Sequence, residues 1–181
     1  MGTETMPNVF PLVDRLLAPF TPALGADYTG YRNHVQRVLN QVQALSGGVA
    51  PPDTVQLAAP FHDLGIWTAR SFDYLAPSIQ LALAHLASER LERHGPEVAA
   101  LISEHHKLRR YRGPFAATVE TCRRADLVDV SLGLVRFGLS RAHLRAVQTA
   151  FPDAGFHRRL ASLTAQQFLR TPLRPLPMFH W

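Results

Sequence analysis

Residues 28–45 read YTGYRNHVQRVLNQVQAL, and their spacing decides the fold. Tyr31, Val35, Val38, Val42 and Leu45 follow one another at intervals of three and four. That is the repeat of an amphipathic helix, where a strand would alternate every second residue. Gly47-Gly48 breaks the pattern, which predicts a helix over about 27–46. Outward from it the same period recurs. A short helix is expected near 10–19. A second clear helix opens at Pro51-Pro52-Asp53, with Asp53 as its N-cap and Gly65 as its stop. Further helices are expected from after Pro77-Ser78 to about Arg93, over 97–109, 117–133, 140–151 and 154–169. The closing TPLRPLPMFHW carries three prolines and is predicted to lie extended across the domain surface. The expectation is an all-α fold, a compact core of five to seven helices with an extended Pro-rich C-terminal tail.

Composition bounds the function. A chain of 181 residues with 46% hydrophobic residues is read as one globular domain over 1–181 with a core of its own, centred on about 28–133. The single cysteine, Cys122, excludes an intramolecular disulfide and a cysteine-rich zinc site. No apolar run reaches the roughly 18 residues of a membrane helix. The start, MGTETMPNVFPLVDRLL, lacks the basic and apolar regions of a signal peptide, so the expected location is cytoplasmic, with no membrane partner. The net charge of +5 suits a small anionic ligand. The arginines are scattered, and the larger basic group, KLRRYR at 107–112, has no aromatic interleaving, so nucleic acid is disfavoured as a partner. Self-association into a homo-oligomer is left open. Nine histidines are the more informative excess.

Residues 58–65, AAPFHDLG, set His62 and Asp63 side by side in an apolar stretch. Both groups are costly to bury unless something pairs with them. At 100° per residue, His34 falls on the buried stripe of its helix, with Tyr31, Val38 and Leu45, while Asn33 and Gln36 point elsewhere. His62 continues the line Val55, Ala58, Ala59, with Asp63 one step around. His105 continues Val98, Leu101 and Ile102, with His106 at the edge of that stripe. Asp126 and Asp129 share a face with Val119 and Cys122. A lone histidine on an apolar face is more often a hydrogen-bonded core residue than a ligand. Four helices turning His or Asp inward weigh differently, because neutral imidazoles and carboxylates around one divalent cation satisfy all of them together. Pairing with Arg123 or Arg124 explains Asp126 alone and leaves the histidines without a reason.

The order His34, then His62-Asp63, then Asp126 resembles the signature of the HD-domain superfamily of metal-dependent phosphohydrolases. The strings YRNHVQRV, FHDLG, ISEHHK and RRADLVD carry the resemblance, over residues 28 to 133. It implies a helical core with a divalent metal (Mn, Fe, Zn, Co or Ni) bound by His34, His62, Asp63 and Asp126. His105 and His106 are implied as candidates for a second metal or for substrate contact. His85 is suggestive in order but lies about 100° from its helix's apolar stripe and is read as surface, while His94 and His157 are read as cap or surface residues. Ile66-Trp67 follows the glycine where some branches carry a lysine or glutamate, and no GYP-type motif is present, so the branch stays open.

The implied activity is hydrolysis of a phosphate ester, in a nucleotide or similar small molecule, by metal-activated water. Asp63, His105, His106 and Lys107 are the candidate catalytic group, Lys107 holding phosphate with Arg109 and Arg110 next; a solvated basic helix end explains these three cations equally well. The alternatives are a hydratase or lyase acting on a small nitrile-like molecule, which Trp67 and Phe72 at the site would favour, a di-iron oxygenase needing both His105 and His106, and a non-catalytic ligand-binding module. Adjacent helical residues diverge by 100°, so His62 and Asp63 can face one ion only at a helix end. Gly65 is read as that end.

Overall fold

In a computed structural model, residues 6–71, 73–170 and 178 are described, Arg170 by its backbone alone. They form helices and connecting turns, with no β-strand among them. The order is α1 (Pro11–Leu17), α2 (Thr21–Leu24), α3 (Tyr28–Leu45), α4 (Asp53–Ala58), α5 (Gly65–Thr68), α6 (Leu75–Ser88), α7 (Gly95–Glu104), α8 (Ala116–Val130), α9 (Arg141–Ala150) and α10 (Phe156–Arg170), with 3-10 turns at Ala18–Phe20, Gly25–Asp27 and Glu92–His94. The all-α expectation holds.

The helix that opened the reading is the axis of the fold. On α3 every residue from Asn33 to Val42 is buried, so it has a continuous buried girth in place of one apolar stripe. Helix α8 packs along it, with α1, α9 and α10 against other sides, while α7 joins α4, α6 and α8. The core gathers Tyr31, Val35, Leu39, Leu64, Ile102 and Val119, each fully or almost fully buried. Asn33 and Gln36, expected to face away, are buried too. Gln36 exchanges two hydrogen bonds with the backbone of Phe10, and Asn33 donates to the Pro152 carbonyl. The wheel fails there because polar side chains that find backbone partners can be buried at little cost.

Several helix ends differ from expectation, with local causes. The stop after α3 is as read: Gly47 and Gly48 take φ of +70° and +91°, and their N–H groups return to the Ala44 and Gln43 carbonyls. Helix α4 ends at Ala58, well short of Gly65, because Pro60 has no N–H to continue the ladder. Asp53 is its first residue and caps nothing through its side chain. Gly65 opens α5 and does not end a helix. Its role is close packing, since a Cβ there would stand 2.5 Å from the Tyr74 carbonyl oxygen and 2.9 Å from Ser78 Oγ. Helix α6 begins at Leu75, ahead of Pro77, which the first turn of a helix accommodates, and stops at Ser88. Helix α7 stops at Glu104, which puts His105 and His106 in the turn beyond it.

At its other end α3 meets the start of α10. A Cβ on Gly30 would lie 3.3 Å from Ala154 O and Phe156 N, so the glycine lets the two backbones approach. Phe156 then stacks on His34, ring centroids 4.2 Å apart. No helix of the described residues is long and apolar enough to cross a membrane. The expected tail lies outside the described residues except for Met178, which is buried.

Candidate metal centre

Four elements converge on one buried point. Helix α3 supplies His34, the turn between α4 and α5 supplies His62 and Asp63, α8 supplies Asp126, and the turn after α7 adds His105 and His106. His34, His62, Asp63, His105 and Asp126 are each no more than 6% exposed.

The hydrogen bonds fix which ring nitrogen each histidine presents. His34 Nδ1–H donates to Asp129 Oδ2 at 2.7 Å. His62 Nδ1–H donates to the Ala59 carbonyl at 2.6 Å, and His105 Nδ1–H to the Ile102 carbonyl at 2.7 Å. A carbonyl can only accept, so in the neutral rings Nε2 carries the lone pair. Yet His34 Nε2 and His62 Nε2 face each other at 3.1 Å. Two lone pairs at that distance need a proton or a cation between them.

Around that pair stand carboxylate oxygens. His34 Nε2 is 3.5 Å from Asp126 Oδ1 and 3.9 Å from Asp63 Oδ2; His62 Nε2 is 3.4 Å from Asp63 Oδ2 and 3.7 Å from Asp126 Oδ1. A tetrahedral ion with bonds of about 2.0–2.1 Å holds its ligands roughly 3.3 Å from one another. Asp126 Oδ1 is buried with no hydrogen-bond partner among the described residues, a costly state for a carboxylate oxygen unless a cation completes it. The arginines proposed as its alternative partners are engaged elsewhere. Arg123 forks onto Glu120 at 2.8 and 2.9 Å, and Arg124 bonds the same carboxylate at 3.0 Å. His34, His62 and Asp63 form a group able to hold an ion, and Asp126 Oδ1 stands 3.5 and 3.7 Å from its two imidazole nitrogens.

Electrostatics agree in direction. Burial pulls the His62 pKa down, but Asp63 and Asp126 outweigh it and hold it well above the usual imidazole value. Burial raises Asp63, and the neighbouring His62 and His105 more than reverse that, keeping it well below the usual carboxylate range. Asp126 is likewise lowered, chiefly by His62 against burial. The pocket wants positive charge at its centre.

Asp63 turns its second oxygen the other way, Oδ1 lying 3.2 Å from His105 Nε2 and 3.9 Å from His106 Nε2. These three form a second group able to hold an ion, sharing Asp63 with the first. Burial, then the adjacent His105, lowers the His106 pKa to about 3, so its ring is neutral. Its Nε2 also lies 2.7 Å from the Tyr74 hydroxyl, a contact that competes with ligation through that nitrogen.

One oxygen shell further out, Asp129 is gripped by Arg37 through Nε at 2.6 Å and Nη2 at 2.8 Å while accepting from His34. Arg37 is 1% exposed. This Arg–Asp–His relay fixes the His34 ring, the usual outer support of a metal-binding histidine. Spacing places Asp129 inward and in need of a partner, and His34 is one. Arg37 was missed, although it stands three residues from His34 on the same helix. Tyr74 was also missed, and nothing in the residues around it signals its position.

A cavity of about 340 Å³ opens onto Asp63, His105, His106 and Asp126. Lys107 lies on its wall and pairs with Glu104 at 3.7 Å. Arg109 and Arg110 are exposed and are not among its described lining residues. Trp67 is elsewhere, 4.8 Å from the Tyr31 ring with its indole N–H on Asp27, and Phe72 lies outside the described residues. His85 and His94 line a separate groove of about 700 Å³, far larger than the site cavity. Of the two histidines expected at a cap or the surface, His94 is the N-cap of α7, and His157 is half-buried and joins α10 to α8 through the Asp129 carbonyl. Compared with protein-family models, curated proteins and solved structures, the chain matches none.

Proposed function

We propose that this chain is a metal-dependent hydrolase of phosphate esters, with His34, His62, Asp63 and Asp126 holding a divalent ion. The observation that carries the metal reading is Asp126 Oδ1, without a hydrogen-bond partner among the described residues, set against two imidazole nitrogens that face each other at 3.1 Å. A bound ion would supply Lewis acidity, polarising a phosphoryl oxygen and lowering the pKa of a coordinated water, to about 7 for Zn²⁺. The resemblance to HD-domain phosphohydrolases supports the choice of phosphoryl chemistry. Asp63 Oδ1, turned toward His105 and the cavity, is placed to orient the attacking water through a hydrogen bond. Lys107 on the cavity wall offsets the charge of the ester. His105 and His106 contact the substrate or share in a second ion. Arg37 and Asp129 are positioning residues, acting through His34.

A second reading has its own support. The cavity wall is mostly apolar, and Arg123 is committed to Glu120, so few cations converge on the space. That favours hydration of a small uncharged nitrile-like molecule at the same ion.

The test is metal analysis of the purified protein, then a turnover screen with Mn²⁺, Fe²⁺, Co²⁺, Ni²⁺ and Zn²⁺. Stoichiometric metal lost in His62→Ala and Asp126→Ala, with phosphate release from an ester, is the expected result. Absence of metal, with both variants as stable as the parent, would sink the metal reading. Metal without phosphate release shifts the assignment to hydration. Two irons per chain with oxygen consumption would make it an oxygenase.

A further inference from the structure

We infer that the substrate is a phosphate monoester of a small apolar alcohol or phenol, and not a nucleotide. The inference rests on the phosphohydrolase reading above and concerns the part of the substrate that leaves with the ester oxygen.

The polar and apolar halves of the cavity are separate in kind. The polar half is the His/Asp cluster with Tyr74. Beyond it, the described walls are built from Ile66, Leu108, Leu127, Val130, Leu160 and Met178, and their remaining polar side chains are Lys107, Arg123 and Thr164. Arg123 is tied to Glu120 and to the Lys107 carbonyl. Tyr74 has its hydroxyl on His106. A nucleoside would bring ribose hydroxyls and a base with several donors and acceptors into this space. Where a site offers them no partners, those groups lose their water without compensation. Bases are otherwise held by stacking on aromatic faces. Tyr74 is the one aromatic residue in the described lining, and it lies among the metal-type groups, not on the far wall.

An apolar body meets the opposite situation. At about 340 Å³ the cavity is near the lower end of the ~300–1,000 Å³ range of ligand sites, which suits one small molecule. The phosphate would sit against the cluster and Lys107, and the hydrocarbon against α8 and α10. Hydrolysis then balances simply. The oxygen of water forms a new P–O bond, the ester P–O bond breaks, and the leaving oxygen takes a proton to give the alcohol and inorganic phosphate. Release of an alcohol into an apolar pocket needs no co-reactant beyond water.

The experiment is a homologous series. Methyl to octyl phosphate, phenyl phosphate, AMP and dAMP are assayed with the metal-loaded protein, and the affinities of the matching non-hydrolysable alkyl phosphonates are measured by calorimetry. The expected kcat/KM and affinity rise by up to about four-fold per methylene until the cavity is full, then fall. Phosphonate binding carries a negative heat-capacity change that grows with chain length. AMP and dAMP fall at least ten-fold below the best alkyl ester. Leu160→Gln flattens the series, and the near-isosteric Val130→Thr reduces its slope in a variant that keeps its shape. A flat series, or AMP preferred over every alkyl ester, overturns the inference and leaves the phosphohydrolase reading standing. Absence of phosphate release from any ester, with metal bound, overturns that reading and this one with it.

Discussion

Two carboxylates on α8, Asp126 and Asp129, stand one helical turn apart, and both are almost fully buried. Their surroundings differ completely. Around Asp129 every acceptor is used: Arg37 clamps both oxygens, and His34 donates to one of them. Burial would raise its carboxyl, but His34 and Arg37 carry it far below the usual range. Around Asp126 one oxygen has no hydrogen-bond partner among the described residues, and two imidazole nitrogens stand 3.5 and 3.7 Å from it. The first region is a finished ion pair, and the second is where a cation is proposed to bind. A finished pair contributes shape; an incomplete one contributes chemistry.

The sharpest way to break the comparison is Asp126→Ala. It removes the orphaned oxygen, so bound metal falls below stoichiometry and turnover drops to background, while the metal-free protein is no less stable. Elemental analysis and urea midpoints with and without chelator check both halves. If the metal-free variant proves much less stable, Asp126 is a structural residue like its neighbour. Asp129→Asn should cost stability as well as metal. A buried guanidinium left without its carboxylate costs about 3–5 kcal/mol, and loss of the His34 support weakens metal binding by roughly 10- to 100-fold. Adding Arg37→Met to that variant should restore most of the stability but not the metal affinity.

Gly65→Ala reaches the same site from the opposite wall. Its Cβ would be forced against the Tyr74 carbonyl, and overpacking of that kind costs about 1–3 kcal/mol. Thermal unfolding of the variant tests this, and an unchanged midpoint would mean that the α5–α6 contact yields freely. The smallest effect is expected at a third α8 carboxylate, Glu120. Burial raises it, but Arg123, the Tyr111 N–H and Arg124 bring its pKa from 4.5 down to about 2. Because the folded value is the lower one, its contribution is complete above about pH 4.5 and fades as pH falls toward 2. Glu120→Gln should flatten the stability profile within that window and leave metal content unchanged.

Much of this was readable from the residues. The length of α3, its glycine stop and the inward direction of His34 and Asp126 follow from periodicity, because a helix wheel reports which side of a cylinder faces the core. The wheel fails where the chain leaves the helix without leaving the core. Pro60 ends α4 before the doublet, so His62 and Asp63 face one point because a turn aims them, not a helix end at Gly65. His105 and His106 lie past the end of α7 for the same reason. Arg37 was hidden by its own charge, which argues for solvent unless a partner 92 residues away is known. Tyr74 and the purpose of Gly65 depend on each other through tertiary packing, which one-dimensional spacing does not encode.

The contact between Gly30 and the start of α10 bears on the order in which the site is completed. All of the proposed ligands precede residue 130, whereas Phe156 on the His34 ring and Leu160 and Thr164 on the cavity wall come later. During synthesis the ion-binding groups can therefore assemble before the chamber that would receive a substrate has its last wall. A chain cut after Ala150 would keep every proposed ligand and lose the side of the vessel.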